Sequence, residues 1–120
     1  MKSILLVEDE EDLVETERIF LSEAGYEVDV AYDGLEAMEK VYEKRYDLIL
    51  LDITIPEMNG YQVCRMLKND PSYKDIPVVM LTAKTLKADK FRGKETGSDE
   101  YLTKPYTPDE LLSAVKSFIG

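Results

Sequence analysis

Short apolar runs alternate with amphipathic stretches along the chain, the pattern of βα units around a parallel sheet covered on both faces. Five such units fit. Strands are expected at Ser3 to Val7, Glu27 to Ala31, Leu48 to Leu51, Val78 to Leu81 and Glu100 to Thr103. Helices are expected between them, and three begin with a capping signal, a side-chain oxygen followed three residues later by Glu or Gln. The pairs are Asp33 with Glu36, Asn59 with Gln62, and Thr107 with Glu110. In the last, Pro108 falls at the first helical position, and Leu111, Leu112, Val115, Phe118 and Ile119 form a stripe that can face the sheet. Lys68 to Pro77, with two prolines and an Asn-Asp-Pro turn signal, reads as the longest connector. A fourth helix, roughly Leu86 to Glu95, is interrupted by Gly93 and has a thin apolar stripe of Leu86, Ala88 and Phe91. It is expected to be the most mobile helix.

At 120 residues the chain has the length of one domain, and no linker or repeat divides it. The expectation is a single α/β domain over residues 1–120 with no output domain attached. The 15 basic and 25 acidic residues leave a net charge of −10, which argues against direct nucleic-acid binding. No apolar run is long enough to span a bilayer, and no signal peptide is visible, so the chain reads as cytoplasmic with no membrane insertion. The single cysteine, Cys64, cannot form an internal disulfide, and its helical spacing with Val63 and Leu67 marks it as a small buried hydrophobe. The chain has no histidine, which excludes the usual zinc ligand sets and every histidine-based triad. Chemistry must run on carboxylates, hydroxyls and amines.

In an open doubly wound sheet, ligands bind beyond the carboxyl ends of the strands, where the strand order reverses. The residues just past those ends are Glu8 and Asp9, Asp52, Thr82, and Lys104. Singly, each has an ordinary explanation as a turn or loop residue. Together, three carboxylates drawn within roughly 5 Å would repel by about 3 kcal/mol per pair at an effective dielectric near 20, a cost no fold requires. A hard divalent cation removes it, and an all-oxygen site with room for water suits Mg²⁺, with Mn²⁺ as a substitute. Beside such a cation Asp52 becomes a candidate nucleophile toward phosphorus, with Lys104 and the Thr82 hydroxyl binding phosphoryl oxygens.

Four segments in order resemble the receiver domain of two-component response regulators. They are Ile4-Leu5-Leu6-Val7-Glu8-Asp9-Glu10, Asp47 through Gly60, Pro77 through Ala83, and Tyr101-Leu102-Thr103-Lys104-Pro105, and the likeness runs from Ile4 to about Phe118. It implies a five-stranded parallel sheet of order 2-1-3-4-5, helices on both faces, and a cis Lys104-Pro105 bond. It further implies that Asp52 accepts a phosphoryl group from a phosphohistidine of a sensor histidine kinase or histidine phosphotransfer protein. Asp9, Asp52 and the Thr54 carbonyl would hold Mg²⁺, with Glu8 helping through water; relatives often have two aspartates here, so either acid is admitted as the direct ligand. The domain would catalyse its own dephosphorylation. Thr82 and Tyr101 would form the switch, changing the surface of the fourth helix, fifth strand and fifth helix that a downstream effector reads. Thr54 and Lys84 border the expected path of the attacking water, and Lys84 is expected to modulate the dephosphorylation rate.

Two alternatives have different chemistry. A phosphorelay intermediate would return the group to another histidine. A Mg²⁺-dependent phosphohydrolase would turn over small esters through an aspartyl phosphate, but position 54 offers a threonine where a second acid would protonate the leaving group. Separately, Lys84 to Lys94 carries five basic residues against Asp89, a local +4 while the remainder carries −14. It reads either as a solvated helix face or as a docking patch for an acidic partner.

Overall fold

The computed structural model describes residues 1–55, 57–82 and 98–120. Five parallel strands, β1 (Ser3–Val7), β2 (Glu27–Ala31), β3 (Leu48–Asp52), β4 (Val78–Thr82) and β5 (Glu100–Thr103), form one sheet of order β2-β1-β3-β4-β5. Four helices are described: α1 (Glu11–Glu23), α2 (Gly34–Glu43), α3 (Gly60–Lys68) and α4 (Pro108–Ile119). The helix expected near Leu86, the basic segment Lys84 to Lys94 and Lys84 itself lie outside the described residues.

The central strands are apolar because both of their faces are covered, and the period of two along each strand divides the core. Leu5, Val7, Ile49, Leu51, Val78 and Met80 point to one side, where they meet Ala37, Met38 and Val41 of α2 and Val63, Cys64 and Leu67 of α3. Ile4, Leu6, Leu48, Leu50, Val79 and Leu81 point to the other, against Val14 and Leu21 of α1 and Leu111 and Val115 of α4. Cys64 is fully buried. Phe118, at the end of the stripe in α4, stays exposed.

All three caps form, two of them as reciprocal boxes, while Glu36 accepts from the Tyr32 amide instead of that of Asp33. The Asp33 side chain accepts from the Glu36 amide, and Asn59 with Gln62 and Thr107 with Glu110 each close a reciprocal capping box. The edge strand β2 is braced by Lys44, whose ammonium pairs with Glu27 and lies 3.1 Å from Asp29. Lys68 closes the long connector after α3, donating to the carbonyls of Lys74 and Ile76 and pairing with Asp99 at 2.7 Å.

Two strands run one residue further than the apolar pattern indicates. Asp52 stands opposite Leu81, and Thr82 opposite Thr103, so both polar residues are in the sheet ladder. β1 pairs β2 on one side and β3 on the other, which puts the reversal of strand order at the β1 and β3 ends. The first turn of α3 packs against that point. A Cβ on Gly60 would meet the Asp52 carbonyl at 2.5 Å and the Ile53 Cα at 2.8 Å, and the Gly60 amide donates to the Ile53 carbonyl at 3.1 Å. Both obstacles are backbone, so they cannot move aside independently. Gly60→Ala should lower the unfolding free energy by about 1–3 kcal/mol, measured by urea denaturation, because the strand end must shift to admit one methyl group.

Candidate phosphoryl and metal site

The β1, β3 and β5 ends converge on one acidic crevice. Glu8 and Asp52 are 1% and 2% exposed, while Asp9 lies at the exposed rim. One carboxylate oxygen from each of the three lies within 4.8 Å of the others. Lys104 enters from the β5 end, its ammonium 2.6 Å from Asp52 Oδ2 and 2.9 Å from Glu8 Oε1. The Lys104 amide donates to the Thr82 carbonyl at 2.6 Å, and the Lys104-Pro105 bond is cis.

Thr54 holds the other side of the aspartate. Its amide and hydroxyl both donate to Asp52 Oδ1, at 2.8 and 3.0 Å. The Glu10 amide donates to Glu8 Oε2 at 3.2 Å. Thr82 is buried at the tip of β4, and Tyr101, opposite Met80 on the neighbouring strand, packs partly buried against the α2 and α3 side of the core. By strand alternation Thr82 shares the Met80 face, so Thr82 and Tyr101 lie on one side of the sheet.

The two buried acids titrate in opposite directions. Burial pushes the Glu8 carboxyl up to about 7, aided by its contact with the Asp52 carboxyl and opposed by Lys104. Burial also acts to raise Asp52, but its contacts with Glu8, Lys104 and the Thr54 amide outweigh that and hold it below the ordinary value. Asp52 is therefore the ionised member at neutral pH, the form a nucleophile requires. Lys104 is raised, because its two ion pairs outweigh the cost of its burial. Three carboxylates against one ammonium leave two uncompensated negative charges when all are ionised. The donors are all oxygen, so the set fits a hard divalent cation such as Mg²⁺.

A polar pair behind the crevice has no counterpart in the apolar pattern. Glu17, 4% exposed on the sheet-facing side of α1, places both carboxylate oxygens 3.0 Å from the Tyr106 hydroxyl. The available signal was an acid on the face of α1 set by Val14 and Leu21, three residues after one and four before the other.

The chain belongs to the response regulator receiver domain family, whose description matches residues 4–116. It is 41% identical over 118 residues to the alkaline phosphatase synthesis transcriptional regulatory protein PhoP of Bacillus subtilis, covering 98% of this chain and 48% of PhoP. It is 36% identical over 116 residues to protein PilG of Pseudomonas aeruginosa, covering 97% of this chain and 86% of PilG. The chain thus spans about half the length of PhoP and most of PilG. Among solved structures, the receiver domain of sensor histidine kinase PA1611 from Pseudomonas aeruginosa, which has a magnesium ion coordinated in its active-site cleft, superimposes with a TM-score of 0.91. That pair shares 32% identity and covers 99% of this chain and 98% of the other. This protein is therefore a receiver domain of the two-component response regulators, with the five-stranded sheet the resemblance implied. Among the described residues no helix is long and apolar enough to cross a membrane.

Glu17 gives the site region a pH signature. Burial, partly offset by the Tyr106 hydroxyl and Lys104, raises its carboxyl to about 7. Between the ordinary 4.5 and about 7 the unfolded chain has lost this proton while the folded chain keeps it, so stability declines as pH rises through that window. Glu17→Gln removes the effect. It should gain up to about 3 kcal/mol relative to wild type on going from pH 4 to pH 8, measured by urea denaturation at both values. Glu8 acts in the same direction in both proteins, so the difference between them isolates Glu17.

Proposed function

We propose that this domain is a phosphorylatable switch in which Asp52 accepts a phosphoryl group from a phosphohistidine of a sensor histidine kinase or histidine phosphotransfer protein. The observation that carries the proposal is a buried Asp52 held between the Lys104 ammonium and the Thr54 donors, inside a three-carboxylate cluster. An Asp52 oxygen attacks phosphorus in line, the P–N bond breaks, and the imidazole leaves with its electron pair and takes up a proton. Lys104 neutralises one phosphoryl oxygen as a point charge, and the Thr82 hydroxyl donates to another. Glu8, Asp9, Asp52 and the Thr54 carbonyl would hold Mg²⁺, or Mn²⁺ in its place. The ion, when bound, supplies positive charge that neutralises and orients the phosphoryl oxygens.

Loss of the group reverses the bond change. A water oxygen attacks phosphorus, the P–O bond to Asp52 breaks, the carboxylate is regenerated, and inorganic phosphate leaves carrying the water's oxygen and protons. Thr54, exposed beside Asp52, would border the path of that water, and Lys84 is expected to modulate the rate. Movement of the Thr82 hydroxyl toward the phosphoryl group vacates space on the face it shares with Tyr101, and the Tyr101 ring follows, altering the surface that a downstream effector reads. A cytoplasmic location fits delivery by such kinases, and the net charge of −10 disfavours direct nucleic-acid contact.

Incubation with Mg²⁺ and acetyl phosphate, followed by intact-mass measurement, should show one phosphoryl group added to the wild type and none to Asp52→Ala. Lys104→Ala should slow the labelling by about a hundredfold, as for loss of one charge-stabilising donor. Multiple turnovers of simple phosphate esters without stable labelling would overturn the switch in favour of a phosphohydrolase.

Mg²⁺ at ten times its dissociation constant should stabilise the wild type by about 1.4 kcal/mol in thermal or urea unfolding. Asp9→Asn should lose most of that gain. An equal gain in both would remove Asp9 from the ligand set.

A further inference from the structure

Glu17 and Tyr106 make a part-buried polar contact that phosphoryl transfer does not itself require. Val14, Glu17 and Leu21 share the buried face of α1. Stability alone favours a third hydrophobe at the middle position, because a carboxylate withdrawn from water costs more than one hydrogen bond returns. Glu17 instead presents both oxygens to a single hydroxyl on a segment 89 residues away in the chain.

That segment carries the lysine of the crevice. Tyr106 follows Lys104 by two residues, with exposed Pro105 between them. The Lys104 amide is fastened to the Thr82 carbonyl of β4, and the Tyr106 hydroxyl is fastened to Glu17 of α1. The backbone from which the ammonium extends is thus held at both ends by different elements. Tyr106 acts on Glu17 through its hydrogen bond, and Lys104 of the same segment and Asp52 of β3 act on it through their charge. The carboxyl is therefore within electrostatic reach of the site it supports.

We infer that Glu17 is a positioning residue for Lys104: by holding the Tyr106 hydroxyl to α1, it fixes the segment that delivers the ammonium to Asp52. The inference rests on Asp52 being the phosphoryl acceptor. A lysine side chain has four flexible methylenes, so where its ammonium settles depends on where its backbone is held. A group that stabilises developing charge loses much of its effect when displaced by about 1 Å.

The test compares initial rates of Asp52 labelling by acetyl phosphate with Mg²⁺, read by intact mass, in variants first shown to be folded by thermal melting. Glu17→Leu and Tyr106→Phe should each label about tenfold more slowly, and the double variant no more slowly than either, since all three cut one link. Glu17→Gln keeps an acceptor oxygen and should stay within about twofold of wild type. Mg²⁺ affinity, measured by calorimetry, should be unchanged throughout. Wild-type labelling rates in a folded Glu17→Leu, or losses that multiply in the double variant, overturn the inference; if Glu17→Leu does not fold, Tyr106→Phe decides it. A wild type that takes no label overturns the acceptor role of Asp52 instead. The positioning link is then read from the Lys104 ¹³Cε resonance, which should move toward its exposed-lysine position in Glu17→Leu and Tyr106→Phe but not in Glu17→Gln. An unmoved resonance overturns the link.

Discussion

The structure depends on gathering like charges where they repel. Glu8, Asp9 and Asp52 hold carboxylate oxygens within 4.8 Å of one another, at the point where the sheet reverses its strand order. One ammonium, from Lys104, offsets part of the repulsion, while burial, aided by the Asp52 contact, raises the proton affinity of Glu8. The apolar bulk of β1, β3 and β4, covered on both faces, supplies the stability that lets the strand tips remain under this tension. Each acid then acquires a different state from its surroundings. Asp52 is kept ionised by donors on two sides, while Glu8 competes for a proton.

Most of the architecture was legible because parallel strands buried on both faces leave short, nearly continuous apolar runs, and because helix starts are marked by local side-chain chemistry. Asp33, Asn59 and Thr107 each cap the helix they precede. The convergence of Glu8, Asp9, Asp52, Thr82 and Lys104 was readable from their positions at strand ends, since a parallel sheet places all those ends on one side. The last ladder positions were not readable. A polar residue closes an apolar run in the sequence, yet Asp52 and Thr82 still pair with their neighbours because the ladder is made by backbone groups, which every residue type carries.

The Glu17 to Tyr106 contact was missed for a related reason. An acid in the middle of a helix ordinarily faces solvent, and nothing local to α1 shows that a hydroxyl near the far end of the chain will meet it. The left-handed backbone at Glu57 and Met58 was equally hidden, since neither residue type signals a positive φ. It has a structural partner: a Cβ on Gly34 would lie 2.0 Å from the Met58 carbonyl, so the start of α2 accepts this loop only with glycine there. Such close approaches are decided by tertiary packing.

The ion pair between Glu8 and Lys104 joins residues 96 positions apart. During synthesis the acidic half of that pair leaves the ribosome long before the basic half exists, so a nascent chain carries Glu8, Asp9 and Asp52 without their lysine. A fragment that ends before Lys104 cannot assemble the complete charge constellation. The crevice can therefore balance its charge only once β5 and the lysine that follows it have been made, however much of the sheet has formed before.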